Sequence, residues 1–147
     1  MKDLETCKFV NVTPPAAIND NTAYTTAAVD TLGFKAVMFL VILGAMDIAV
    51  AVLKLTESDD SGMSGAVDVT GADFSVSPAT LPSATADNTI VAISVKLTGK
   101  RKRYLDLSFT AGDGSAGTYA NVLAILAEPE CSPTTAAERG FGQHLQV

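Results

Sequence analysis

The chain has no tryptophan, one histidine and two cysteines in 147 residues, and charged side chains make up only 18% of it. Each shortage excludes something. His144 lies on a polar stretch close to the C-terminus, with no positioned carboxylate or nucleophile, which argues against a general base or a metal ligand. Cys7 and Cys131 lie near opposite ends, outside any Cys-x-x-Cys or Cys/His spacing, so neither a zinc site nor a disulfide framework is expected. They are expected as two thiols, with a single bridge between the ends as the alternative. The N-terminal Met-Lys-Asp-Leu-Glu-Thr lacks the apolar stretch of a signal peptide. The strongest apolar run, Ala36–Met46, is shorter than the roughly 20 residues needed to span a bilayer. The expectation is a protein made, and at first used, inside a cell, with no membrane partner. A formal net charge of −6 argues against non-specific nucleic-acid binding, because phosphates must be met by Lys and Arg.

What is present is apolar surface in short pieces. Hydrophobic residues make up 48% of the chain, enough for one folded domain with a sizeable core and too many for a disordered one. Phe34–Leu43, Ile48–Thr56, Thr89–Leu97, Tyr104–Thr110 and Tyr119–Ala127 read as strands, punctuated by Gly, Asp and Ser. Phe34–Leu43 is apolar at almost every position and predicts a central strand covered on both sides. Gly44-Ala45-Met46-Asp47 is expected to reverse the chain so that Ile48–Thr56 pairs back as a hairpin. A helix over Ala36–Leu55 is disfavoured by Gly44, at about 1 kcal/mol against Ala, and by many β-branched residues. In Thr89–Leu97 the face carrying Val91, Ile93, Val95 and Leu97 is predicted to be buried, and in Tyr104–Thr110 the face carrying Leu105, Leu107 and Phe109. Gly112–Gly117 is expected as a flexible turn that lets the last strand pair back. Cys7–Val12 hints at a further strand, stopped by Pro14-Pro15. Ala16–Thr22 reads as a turn-rich connection, Tyr24–Val29 as a weak edge strand, Ala66–Val69 as a short strand and Thr70–Asn88 as a long irregular connection. The organisation expected is an N-terminal arm and edge strand over 1–28, a β-sandwich over 29–129 and a polar tail over 130–147. The fold class is all-β, with jelly-roll or immunoglobulin-like strand order left open.

Three segments invite a functional reading. Lys100, Arg101, Lys102 and Arg103 sit between two strands, where a hairpin tip would project four charges onto an acidic protein partner or into solvent. No aromatic residue interleaves with them to stack on bases. Glu57–Gly62 superficially resembles a calcium loop, but the position expected to hold a bidentate Glu is Asp68 and no flanking helices are predicted. The tail is too polar to build its own core. It carries sparse anchors, Arg139, Phe141 and Leu145, able to order on a neighbour. No cofactor and no catalytic residue is expected.

The layout is similar to a known group. A strand ending Leu-Thr-Glu-Ser-Asp-Asp (Leu55–Asp60), a variable middle, Gly-Lys-Arg-Lys-Arg-Tyr-Leu-Asp-Leu (Gly99–Leu107), a Gly-rich turn and a closing strand ending Ala-Glu-Pro (Ala127–Pro129) resembles small structural proteins of tailed bacteriophages. Within these it is most similar to head decoration, or cement, proteins of jelly-roll type, over about Val29–Pro129. The resemblance implies a clamp without catalysis. It would bind the outer face of a capsid, bridge major capsid protein subunits and form a symmetric homo-oligomer, expected as a dimer, within the virion. The arms Met1–Ile18 and Glu130–Val147 and the basic tip are then the expected contacts. A tail or neck component shares such patterns. A carbohydrate- or receptor-binding sandwich is the alternative of another class.

Overall fold

The structure is a computed structural model that describes residues 2–14 and 18–145. After a short helix, α1 (Lys2–Glu5), come eight strands: β1 (Lys8–Thr13), β2 (Val29–Asp30), β3 (Phe34–Met46), β4 (Val52–Ser58), β5 (Val67–Asp73), β6 (Ile90–Lys96), β7 (Tyr104–Thr110) and β8 (Thr118–Pro129). They form two antiparallel four-stranded sheets. The first has the order β1-β8-β3-β6 and the second β2-β7-β4-β5. β1 pairs with β8, β2 with β7, β3 with β6 and β4 with β5. This nested pairing results when one long hairpin of four strand pairs is rolled over on itself, so the all-β sandwich has the strand order of a jelly roll. Pro15–Ala17, where the expected connection after β1 begins, and the terminal residues of both expected arms lie outside the described residues.

The strands follow from alternation. In β7, Leu105, Leu107 and Phe109 point into the sandwich and are fully buried, as their spacing predicts. Leu53 and Leu55 of the neighbouring β4 extend this layer, and Ile93 and Val95 of β6 meet it from the other sheet, joined by Val37, Phe39, Val41 and Leu43 of β3 and Val122, Ala124 and Leu126 of β8. β5 runs on to Asp73, beyond the expected Ala66–Val69. Gly71, at φ +83°, and a register shift opposite Lys54 and Thr56 absorb extra residues as a bulge. Cys7 is buried and Cys131 exposed, and both are thiols.

The connections differ from the expectation, and for one reason. β3 and β4 are not a hairpin. β3 lies between β8 and β6 in the first sheet, and β4 between β7 and β5 in the second. β6 and β7, and β7 and β8, are likewise in different sheets, so the Lys100–Arg103 segment and the Gly112–Gly117 segment are both crossings over the ends of the sandwich. Consecutive alternating strands bury one face each whether they pair side by side or face each other across a core. The periodicity is the same in both cases.

Nor is the Gly-rich crossing loose. The Asp47 carboxylate accepts the Ser115 and Ala116 N–H groups at 2.5 and 2.7 Å, and Asp20 accepts the Gly114 N–H at 2.9 Å. The Ala116 N–H, foremost, holds the Asp47 carboxyl below the usual carboxylate range.

Candidate functional site

The basic crossing is largely engaged by the protein's own acids. The Arg103 guanidinium grips Asp30 of β2 with two hydrogen bonds of 2.8 and 2.7 Å and lies 5.0 Å from the Tyr104 ring centre. That fork draws the Asp30 carboxyl downwards in pKa and the Arg103 guanidinium upwards. Arg101 donates to Glu57 Oε1 at 3.2 Å, and the Lys102 backbone N–H donates to Glu57 Oε2 at 3.3 Å. Glu57 is a buried residue at the end of β4, so this pair ties the crossing to the second sheet. The Arg103 carbonyl accepts from both the Thr31 N–H and the Thr31 hydroxyl, at 3.1 and 2.6 Å. Among the described residues Lys100 and Lys102 make no ion pair. Of the four residues of the expected basic tip, Arg101 and Arg103 therefore serve the fold, and Lys100 and Lys102 keep side-chain charges that no carboxylate among the described residues pairs.

The Glu57–Gly62 loop is closed in the same self-contained way. Glu57 faces Arg101, and Asp60 Oδ1 accepts the N–H groups of Gly62 at 2.8 Å and Ser64 at 3.4 Å. Among the described residues no three His, Cys, Asp or Glu side chains converge as a metal would require.

The tail is ordered against β1. Thr135 and Glu138 form a capping box. The Glu138 N–H donates to Thr135 Oγ1 at 3.2 Å, and Glu138 Oε2 accepts the Thr135 N–H at 3.0 Å. Glu138 Oε2 also accepts the Thr134 N–H at 2.8 Å, and these bonds pull its carboxyl down to about 2. The turn ends at Gly140, at φ +82°, with the Phe141 N–H returning to the Ala136 carbonyl at 2.9 Å. This Thr-x-x-Glu…Gly signal is local and stands in the sequence. The turn delivers the Arg139 carbonyl to the Phe9 N–H at 2.8 Å and stacks Phe141 on Phe9 at 4.9 Å between ring centres. A Cβ at Gly140 would run into the Phe9 carbonyl oxygen. Two of the three expected anchors thus hold the tail to its own edge strand, with Arg139 also meeting His144 at 3.1 Å. Leu145 is 86% exposed.

The largest departure from the sequence reading is on the outer face of the first sheet. β3 is central, as expected, but one of its faces is uncovered. Met38 and Ile42 are each 39% exposed, and Leu40 between them is half-buried. Register places Leu123 beside Leu40 and Ile125 beside Met38 on β8, and Ala92 beside Leu40 and Ile90 beside Ile42 on β6. Ile90 is 62% exposed. The outer face of the second sheet is different in kind. There Lys54 and Thr56 of β4 lie beside Ser108 and Asp106 of β7. The signal was present, since Phe34–Leu43 is apolar at both parities. An apolar run of both parities marks two apolar faces without saying whether the same chain covers both. Compared with family models, with curated proteins and with solved structures, the chain matches none.

Proposed function

We propose that this protein is a structural component of a tailed-phage head, one that binds the outside of the capsid and bridges neighbouring major capsid protein subunits as a homo-oligomer. The observation that carries the reading is the open apolar face on the first sheet. A sandwich with one wet polar face and one uncovered apolar face is suited to assembly. The rolled strand order agrees with the jelly-roll type that the strand and turn layout resembles. Attachment to a shell then falls to surface that the fold has not used. Lys100 and Lys102 are the available cations of the crossing, and Leu145 is an apolar group at the end of the ordered tail. Repetition by capsid symmetry converts such modest contacts into tight attachment through avidity.

The test is co-sedimentation with empty phage shells at increasing salt. The chain is expected in the shell pellet at low ionic strength. A Lys100→Gln/Lys102→Gln double variant should be released at lower salt than the parent. A parent chain that stays in the supernatant at every salt concentration overturns the proposal.

A further inference from the structure

We infer that the free edge of β6 pairs, antiparallel and about a two-fold axis, with β6 of a second copy of this chain. The inference deepens the proposed function, on whose homo-oligomer it rests, by assigning the strand through which the protein associates.

The edges of the two sheets are unequal. On one side of the sandwich the chain closes itself. The Arg139 carbonyl takes the Phe9 N–H of β1, the Ala27 N–H donates to the Val12 carbonyl at 3.1 Å, and β2 is only 2 residues long. On the other side, β5 carries a bulge at Gly71 and the charges of Asp68 and Asp73, devices that keep an edge from pairing. β6 has none of them. Ile90–Lys96 runs for 7 residues without proline, glycine or bulge, and Lys96 is its only charge. At its two ends the Leu97 N–H donates to the Lys35 carbonyl, and the Thr89 carbonyl accepts the Leu43 N–H. In that phase Val91, Ile93 and Val95 exchange hydrogen bonds with β3, and the N–H and C=O groups of Ile90, Ala92, Ser94 and Lys96 point away from it. Among the described residues none of those outward groups has a backbone partner. Such a row is completed by an extended strand.

Three features select a second β6 as that strand. The first is sequence. Val91-Ala92-Ile93-Ser94-Val95 reads nearly the same in both directions about Ile93. A two-fold axis through Ile93 sets Val91 against Val95, Ile93 against itself and Ala92 against Ser94. Large β-branched residues then meet on the inner face and small ones on the outer face. The second is phase. The same axis sets Ile90 against Lys96, so every outward N–H and C=O of one copy meets a group of the other. An axis through Val91 would leave Ser94 and Lys96 beyond the end of the second strand, and an axis through Val95 would strand Ile90 and Ala92. The third is charge. Lys96 and Lys100 flank one end of β6 and Asp87 the other, all exposed. Antiparallel pairing lays the basic end of each copy along the acidic end of the other, although each molecule carries a net −6.

Sedimentation equilibrium and amide hydrogen exchange on the full chain test this. The parent is expected at twice its 15.2 kDa mass at micromolar concentration. Ser94→Pro removes a donor that β3 does not use, so it should fold and raise the dimer dissociation constant by about 100-fold or more. Ala92→Pro gives the same readout should Ser94→Pro not fold. Leu123→Lys, on the outer face of the same sheet, should leave the dimer intact. In the parent, exchange at the Ala92 and Ser94 amides should slow by about tenfold or more on going from dilute to concentrated protein. This last readout needs no variant. A parent that is monomeric throughout the micromolar range overturns the inference. So does a dimer that survives both proline variants, one that is lost in Leu123→Lys, or one whose Ala92 and Ser94 amides exchange as freely as in the monomer. The shell experiment fails separately. A dimer that ignores shells sinks the capsid reading and leaves this pairing standing, whereas a monomer that co-sediments does the reverse.

Discussion

Arg101 and Arg103 are two residues apart, carry the same charge and each reach a carboxylate, yet they do different things. Arg103 and Asp30 are both close to half exposed, so solvent screens their fork, and exposed pairs of this kind contribute about 0–1 kcal/mol. Glu57 is nearly buried, and Arg101 is its cation. Removing Arg101 leaves a desolvated carboxylate with, among the described residues, only the Lys102 N–H, a loss in the range of about 1–3 kcal/mol for a stranded buried group. Urea unfolding should therefore rank Arg101→Ala clearly below Arg103→Ala in stability. Equal midpoints would mean that Glu57 finds water as easily as Asp30 does. None of this could be read from Lys-Arg-Lys-Arg as a string, because the partners at Glu57 and Asp30 lie 44 and 73 positions away. The buried faces of β6 and β7 are the opposite case. Val95, Leu105, Leu107 and Phe109 are assigned correctly by spacing alone, since alternation is local chemistry.

Among the elements, the tail turn is the one with a built-in pH response. Glu138 has its carboxyl drawn down to about 2 by N–H and hydroxyl donors, Thr134 N–H first, against a usual value of 4.5. Because the folded value lies below the unfolded one, the carboxylate contributes fully above about pH 4.5, and its contribution is lost as the pH falls through about 2. Hydrogen exchange at the Phe9 amide, which donates to the Arg139 carbonyl, reports the docked turn. Protection at Phe9 should persist at pH 5, fade between about pH 4 and 2 ahead of the core amides of β3, and be weakened at every pH in Glu138→Ala. Phe9 protection that is unchanged in Glu138→Ala would show that the Phe141 stack alone holds the turn. The connections are less legible in the sequence than the tail turn. Gly112–Gly117 is Gly-rich enough to predict a turn, but only the placement of Asp47 and Asp20 shows it as a pinned crossing.

For the whole molecule, the decisive feature is that the sandwich closes without its tail. The buried cluster runs from Val12 to Leu126, and Phe141 adds to it only from the outside, through Phe9. Removing Glu130–Val147 should leave the far-UV spectrum unchanged and lower the melting temperature by a few degrees, in keeping with a lost aromatic pair worth about 0.5–1.5 kcal/mol. It should also promote aggregation, since the tail occupies the open side of edge strand β1 at Phe9. A truncated chain that does not fold would place the tail within the cooperative unit. Truncation leaves the apolar face on β3, β6 and β8 in place.

Sequence by itself determined the class of structure and most of the inward-facing residues. Strand periodicity, turn residues and the scarcity of helix-compatible runs are encoded within a few positions of one another. It also carried the capping box at Thr135 and Glu138 and the two-sided apolar run at Phe34–Leu43, whose outer face the described chain leaves open. Tertiary structure decided which strands are neighbours. A strand that buries alternate residues gains the same apolar contacts whether the next strand lies beside it or across the core, so β3–β4, β6–β7 and β7–β8 looked like hairpins and are crossings. That choice turned the basic crossing toward Glu57 and Asp30, brought the tail to Phe9, and left Met38, Leu40 and Ile42 facing outwards with nothing of the described chain across their centre.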